Sequence, residues 1–111
     1  MLFRSDILGR YGGEEFAILF PETDLASAIE AAERVRRHII QQKIPTQAEE
    51  IKITISGGIS ELPLDQKITL DQLIDRADKS LYAAKQKRDC LGFWNQKIEK
   101  PTLAEAGSKL E

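Results

Sequence analysis

The sequence predicts an α/β domain whose elements follow the order β–β–α–β–α–β. Two segments carry apolar residues at helical spacing, and the segments between them are short and rich in β-prone residues. Glycine and proline separate these segments. With 111 residues, the chain is long enough for one small domain and too short for two.

A hairpin is predicted at the start of the chain, with strands at residues 6–11 and 14–20. Gly12 and Gly13 lie between them, and a Gly-Gly pair is typical of a tight hairpin turn because glycine readily takes a positive φ. Both faces of the second strand are largely apolar, so we expect it to be covered on both sides.

Capping residues and apolar stripes predict two helices. The first is expected to begin after Thr23 or Asp24 and to fade near Gln42. The second begins at a capping box formed by Thr69 and Gln72 and is expected to end near residue 88.

Two more strands are predicted in the second half of the chain. Residues 51–55 alternate between isoleucine and polar residues, which indicates a half-buried strand, and residues 91–95 form a short final strand. Gly57 and Gly58 mark a place where we expect either that the backbone bends or that something approaches it closely.

The domain is predicted to span residues 1–97. From residue 98 onward the apolar residues are scattered without a clear period. We therefore expect residues 98–111 to form a disordered or loosely attached tail.

Composition excludes several classes of protein. The net charge is −2, and no block of like charge indicates a nucleic-acid arm or a membrane-binding patch. The single cysteine, Cys90, excludes an internal disulfide and suits a reducing cytoplasm. The apolar runs fall short of the roughly 18 residues needed to span a bilayer. His38, the only histidine, has no partner for a metal site.

The most unusual stretch places two carboxylates, Glu14 and Glu15, directly after the glycine turn. Neighbouring residues on a strand point to opposite faces, so these two groups cannot do the same job. One of them could bind a hard cation such as Mg²⁺, and the glycines leave room for a phosphate chain. The alternative is a surface hairpin in which a glutamate pairs with Arg10.

A cluster of cations, Lys85, Lys87 and Arg88, closes the last predicted helix. These residues could hold a polyphosphate. They also suit the negative end of the helix dipole, which is worth about 0.3–1 kcal/mol for each cation. Local sequence leaves both interpretations open.

Three stretches together resemble one family. Residues 5–16 are similar to the signature hairpin of GGDEF domains, the nucleotide-cyclase-type module that makes cyclic di-GMP in bacteria. Residues 53–59 resemble the strand that follows in that family, and residues 76–85 resemble its last helix. The resemblance covers roughly residues 5–95, with the motifs in the family's order and spacing.

The resemblance implies a mixed sheet flanked by helices, akin to adenylate cyclases and polymerase palm domains. It also implies an activity, the condensation of two GTP molecules into cyclic di-GMP with release of pyrophosphate. Family members act as homodimers and use two divalent cations, Mg²⁺ or Mn²⁺. The family's first central strand precedes the signature hairpin, and we expect it to be missing from this chain.

The signature residues take their roles from the same resemblance. Glu14 matches the acidic residue that binds metal and can accept a proton, and Glu15 matches a second acidic position with a supporting role near the metal. Gly12 and Gly13 match the glycines along which the triphosphate lies.

The last helix and the start of the chain carry further matches. Lys85 matches the family's phosphate-binding lysine, and Arg88 would be its companion arginine, although Lys87 replaces the glycine that usually precedes it. Asp6 matches the aspartate of the product-inhibition site. The arginine of that site is replaced by Phe3, so we expect Asp6 to be a remnant.

Two hypotheses follow. In the family, the second acidic metal ligand and the residues that read guanine precede the signature hairpin, and we expect them to be missing here. The first hypothesis is a fragment of a diguanylate cyclase that is inactive alone. The alternative is a degenerate GGDEF module that serves nucleotide binding, dimerisation or regulation.

Overall fold

The structure is a computed structural model that describes residues 7–12, 15–45 and 49–104. Its elements, in chain order, are β1 (Ile7–Gly12), β2 (Glu15–Leu19), α1 (Leu25–Ile40), β3 (Ile44–Pro45), β4 (Glu50–Ile51), β5 (Gly57–Ile59), α2 (Leu70–Lys87), β6 (Leu91–Asn95) and β7 (Lys100–Ala104). Neither described helix combines the length and the hydrophobicity that crossing a membrane requires.

The main sheet is mixed, as predicted. Strand β5 runs parallel to β6, and β6 runs antiparallel to β7. The predicted hairpin is also present, because β1 and β2 pair antiparallel with Gly12 opposite Glu15. The connecting residues Gly13 and Glu14 lie outside the described part of the chain.

The hairpin forms a sheet separate from the three-stranded one. The prediction that β2 is covered on both faces is therefore wrong. Ile18 is 37% exposed and Leu19, which faces the opposite side of the strand, is 51% exposed.

The predicted strand at residues 51–55 is also wrong over most of its length. Within the described residues, pairing in this stretch is limited to Ile51, which together with Glu50 pairs with β3, and Ile53 is 44% exposed. Alternation shows which side chains share a face, but a strand also needs a neighbour for its backbone hydrogen bonds. Gly57–Ile59 find that neighbour in β6.

The C-terminal segment differs from the expected tail. Lys100–Ala104 form β7, which pairs with the whole length of β6, from Asn95 opposite Lys100 to Leu91 opposite Ala104. Pairing depends on backbone groups, so it does not require a periodic side-chain pattern. The folded part thus extends past residue 97, and residues 105–111 lie outside the described residues.

The hydrophobic core lies between α1 and one face of the main sheet. Its buried centre consists of Ile29, Leu91 and Phe93. Further partly buried residues pack against that centre, namely Leu25, Ala32, Ile59 and Ala104. Because side chains alternate along a strand, Gly92 faces the opposite side, where α2 packs.

Helix α2 lies directly against the backbone of the sheet. A Cβ atom at Gly58 would collide with the backbone of Ala77 and Leu81, and one at Gly92 would collide with the backbone oxygen of Ser80. The prediction of a close approach at the paired glycines is confirmed for Gly58.

Both helices begin where capping signals predict. The Asp24 carboxylate accepts a hydrogen bond from the Ser27 N–H at 2.7 Å, which lowers the pKa of Asp24. For α2, the capping box of Thr69 and Gln72 is confirmed by reciprocal bonds of 3.1 and 2.8 Å. These bonds satisfy donors that a helix start otherwise leaves unpaired.

A buried arginine joins α1 to the turn after α2. Arg36 is 8% exposed and donates to both Glu33 carboxylate oxygens, at 2.7 and 2.8 Å, and to the Asp89 carboxylate at 2.6 Å. These bonds raise the pKa of Arg36 and lower the pKa of Glu33. The ion pairs compensate for burying the guanidinium.

The close approach at Gly58 predicts a large cost for a single methyl group. Replacing Gly58 by alanine should lower the free energy of unfolding in urea by about 1–3 kcal/mol, because the helix backbone has to move. Gly57→Ala is the control, since its Cβ would meet only the Cδ2 atom of Leu91, at 2.8 Å. Equal losses for the two variants would contradict this packing.

The Arg36 ion pair predicts a pH dependence of stability. Because the pKa of Glu33 in the folded state lies below its ordinary value of about 4.5, its contribution is complete above that value. The contribution is lost as the pH falls through the lowered pKa. Urea unfolding from pH 7 to 3 should therefore show wild type and Glu33→Gln converging in stability below pH 4.5.

Glu30→Gln also removes a carboxylate from α1 and serves as the control for the pH dependence expected of Glu33→Gln. Curves for wild type and Glu33→Gln that stay parallel down to pH 3 would show that the ion pair does not stabilise the fold.

Candidate functional site

A cleft lies between the start of β2 and the second half of α2. Its volume is about 380 Å³. The residues that line it are Glu15, Asp78, Lys79, Leu81, Tyr82 and Lys85. One wall thus comes from the hairpin that carries the paired carboxylates, and the other from the helix that carries the terminal cations.

An ion pair crosses this cleft. The Lys85 ammonium donates to the Glu15 carboxylate at 3.3 Å, although the two residues are 70 positions apart. Two residues that sequence analysis named separately are therefore brought together. Neither interpretation of the carboxylate hairpin included this contact, and the pairing of a glutamate with Arg10 stays a prediction, because the Arg10 side chain lies outside what the structure describes.

Both partners remain accessible to water. The Lys85 side chain is 40% exposed and the Glu15 side chain is 38% exposed. An ion pair at this exposure contributes about 1 kcal/mol or less to stability, so a competing anion can replace it. Lys85 also lies in the last turn of α2, where a cation interacts favourably with the helix dipole.

Helical spacing explains why α2 supplies most of the lining. Asp78, Tyr82 and Lys85 are separated by four and three residues and therefore lie on one face of the helix. Tyr82 is 69% exposed. Asp78, Lys79 and Tyr82 are not among the site residues that the sequence motifs predict, although the helical spacing from Lys85 indicates Asp78 and Tyr82.

Lys79 lines the cleft but is engaged elsewhere. Its ammonium pairs with Asp75 at 3.0 Å and lies 6.0 Å from the centre of the Trp94 ring. Among the lining cations, Lys85 is thus the one that faces the hairpin.

Several predicted site residues cannot be placed in the cleft. Gly12 ends β1 opposite Glu15, beside the cleft wall. Asp6, Gly13 and Glu14 lie outside the described residues. Their predicted roles in inhibition, phosphate binding and metal binding stay predictions.

Arg88 occupies a different position from Lys85. It is the C-cap of α2, its side chain is exposed, and its N–H bonds to the Ala84 carbonyl oxygen at 2.8 Å. Its backbone has φ 68° and ψ 157°, a conformation that favours glycine. Arg88 is not among the residues that line the cleft.

The described residues do not form a metal site on their own. No group of three His, Cys, Asp or Glu side chains within them is placed to hold a metal ion. Glu15 is paired with a lysine, and the predicted ligand Glu14 is outside the described residues. The expected Mg²⁺ or Mn²⁺ therefore has no ligand set in this part of the chain.

Comparison with known families gives one match over most of the chain. The model of the family described as "Diguanylate cyclase, GGDEF domain" matches residues 1–90. This match includes the signature hairpin and the whole of α2, so both walls of the cleft lie within it.

Characterised proteins with similar sequences support the match. Diguanylate cyclase A of Treponema denticola is 37% identical over 82 residues, which cover 74% of this chain and 22% of that protein. The response regulator PleD of Caulobacter vibrioides is 39% identical over 82 residues, which cover 72% of this chain and 18% of PleD. The chain thus spans about a fifth of the length of these relatives.

A solved structure has a similar fold. The diguanylate cyclase SiaD of Pseudomonas aeruginosa, in complex with its activator SiaC, superposes with a TM-score of 0.73 and 36% identity. The match covers 83% of this chain and 35% of that one.

The backbone of Arg88 predicts that glycine is preferred at this position. A residue with a side chain in this conformation carries a strain on the order of 1–3 kcal/mol. Replacing it by glycine relieves the strain, but the greater conformational entropy of glycine in the unfolded state offsets part of the stabilisation. Arg88→Gly should therefore raise the free energy of unfolding by about 1 kcal/mol.

Lys87→Gly, one residue earlier and inside the helix, should lower the free energy of unfolding by up to about 1 kcal/mol. Destabilisation by both glycine variants in urea titrations would contradict the backbone conformation of Arg88.

Proposed function

The chain belongs to the family of diguanylate cyclase GGDEF domains, and we propose that it forms the phosphate-binding side of a diguanylate cyclase active site. The observation that supports this most strongly is the contact between Lys85 and Glu15. Each residue belongs to a different motif of the family, and the fold brings the two motifs into one cleft.

The proposed reaction joins two GTP molecules. The 3′-hydroxyl of one GTP attacks the α-phosphorus of the other, a phosphodiester bond forms, and the bond to pyrophosphate breaks. The hydroxyl proton passes to an acceptor, for which we propose Glu14. A second, reciprocal transfer closes the ring and gives cyclic di-GMP and two molecules of pyrophosphate. We propose that each domain of a homodimer holds one GTP.

Lys85 is the residue proposed to hold phosphate. An ammonium group forms charge-assisted hydrogen bonds to phosphate oxygens, and these are stronger than bonds between neutral groups. Gly12 and Gly13 would leave the hairpin backbone open to the triphosphate. Arg88 is proposed as a second phosphate contact, from the exposed end of α2. The family resemblance implies Mg²⁺ or Mn²⁺ as the cofactor.

We further propose that these 111 residues do not turn over GTP by themselves. On the family resemblance, the residues that read guanine and the second acidic metal ligand precede the signature hairpin. They would have to come from a preceding segment.

An assay for cyclic di-GMP tests both proposals. The 111-residue chain and a version extended N-terminally to a whole GGDEF domain are incubated with GTP and Mg²⁺. The extended version should form cyclic di-GMP and the short chain should not. Product from the short chain would contradict its proposed inactivity. Its absence from the extended version would favour a degenerate module that binds nucleotide or dimerises.

Within the active extended version, Glu14→Gln should lower kcat by about 100-fold or more, as expected for losing a proton acceptor. Glu30→Gln removes an exposed carboxylate on α1 and should leave kcat unchanged. Full activity of the Glu14 variant would refute its proposed role.

A further inference from the structure

We infer that Glu15 sets the affinity of the cleft for phosphate by competing for Lys85. This inference rests on the proposed function, because it assumes that Lys85 is the phosphate-binding group. It adds a role for the second signature carboxylate that does not depend on a metal ion. The ligand class concerned is a polyphosphate, free or as part of a nucleotide.

The geometry places the carboxylate and the ligand in competition for the same ammonium group. Glu15 Oε2 lies 3.3 Å from Lys85 Nζ, within the cleft that a phosphate has to enter. In the described part of the chain, Glu15 is the partner recorded for the Lys85 ammonium. A phosphate oxygen that takes this position has to displace the Glu15 carboxylate or bind beside its negative charge.

Exposure makes the exchange easy. Both side chains are more than one third exposed, so water can solvate each partner as the pair separates. A fully buried pair would leave an uncompensated charge behind and would resist exchange. The ion pair therefore lowers phosphate affinity by a modest factor and does not block the site.

The same cleft contains a matched control for the effect of charge. Asp78 lines it and carries the same charge as Glu15, but no ion pair joins Asp78 to Lys85 in the part of the chain that the structure describes. Removing either charge reduces the general repulsion of an anion. Only removal of Glu15 also releases Lys85.

The cleft also offers a control for the lysine. Lys79 lines the same cleft but pairs with Asp75 at 3.0 Å. If Lys85 is the phosphate-binding group, its loss should weaken anion binding more than the loss of Lys79.

Isothermal titration of the 111-residue chain with inorganic tripolyphosphate tests the inference. The buffer has low ionic strength and contains EDTA, so that binding cannot pass through a metal ion. Glu15→Gln should bind tripolyphosphate about two- to five-fold more tightly than Asp78→Asn does, the factor expected for releasing an exposed ion pair. Lys85→Met should bind at least about ten-fold more weakly than Lys79→Met, the loss expected for a hydrogen bond between charged groups.

The outcomes separate the two claims. If Lys85→Met loses binding but Glu15→Gln binds no more tightly than Asp78→Asn, the competition is refuted and the proposed phosphate site stands. If Lys85→Met binds as Lys79→Met does, the phosphate site itself is wrong and the inference falls with it. The absence of binding by every variant, Glu15→Gln included, would overturn both claims.

Discussion

The close approach of α2 to the sheet determines where the candidate site lies. Gly58 and Gly92 present no side chains, so the helix backbone rests directly on β5 and β6. Ser80 and Ala84, on the face turned to the sheet, are completely buried. Because a helix is rigid, fixing this face also fixes the rest of its circumference. Residues on the neighbouring face of α2 then line the cleft, and Lys85 lies next to the hairpin.

The C-terminal end of α2 is held from the other side of the sheet as well. Arg36 reaches from α1 to Asp89 in the turn that leads into β6. Arg88 and Asp89 both have positive φ values, 68° and 52°, which L-residues rarely adopt. The ion pair stabilises this turn, so the chain can leave the helix sharply and enter β6. Because the helix ends at this turn, Arg88 is not among the residues that line the cleft, although it is only three residues from Lys85.

The sequence predicted the elements whose signals are local. It failed for strands whose existence depends on pairing with another segment of the chain. The capping box at Thr69 and the strand at 91–95 depend on neighbouring residues and were predicted correctly. Residues 51–55 and 100–104 were mispredicted because a strand exists only where another strand accepts its hydrogen bonds. The site shows the same division. The resemblance named Glu15 and Lys85 from separate motifs, but their contact depends on how α2 packs, which no short stretch of sequence contains.

The central claim is that the Lys85 ammonium holds nucleotide phosphate, and side-chain NMR tests it most directly. Lysine side-chain signals of the 111-residue chain would be assigned with Lys85→Arg and Lys79→Arg variants and followed during titration with GTP. NMR detects weak binding, so the measurement does not require turnover. We predict that the Lys85 signal shifts with saturable dependence on GTP while the Lys79 signal stays in place. A Lys85 signal that remains unchanged while other residues of the chain respond to GTP would contradict the account.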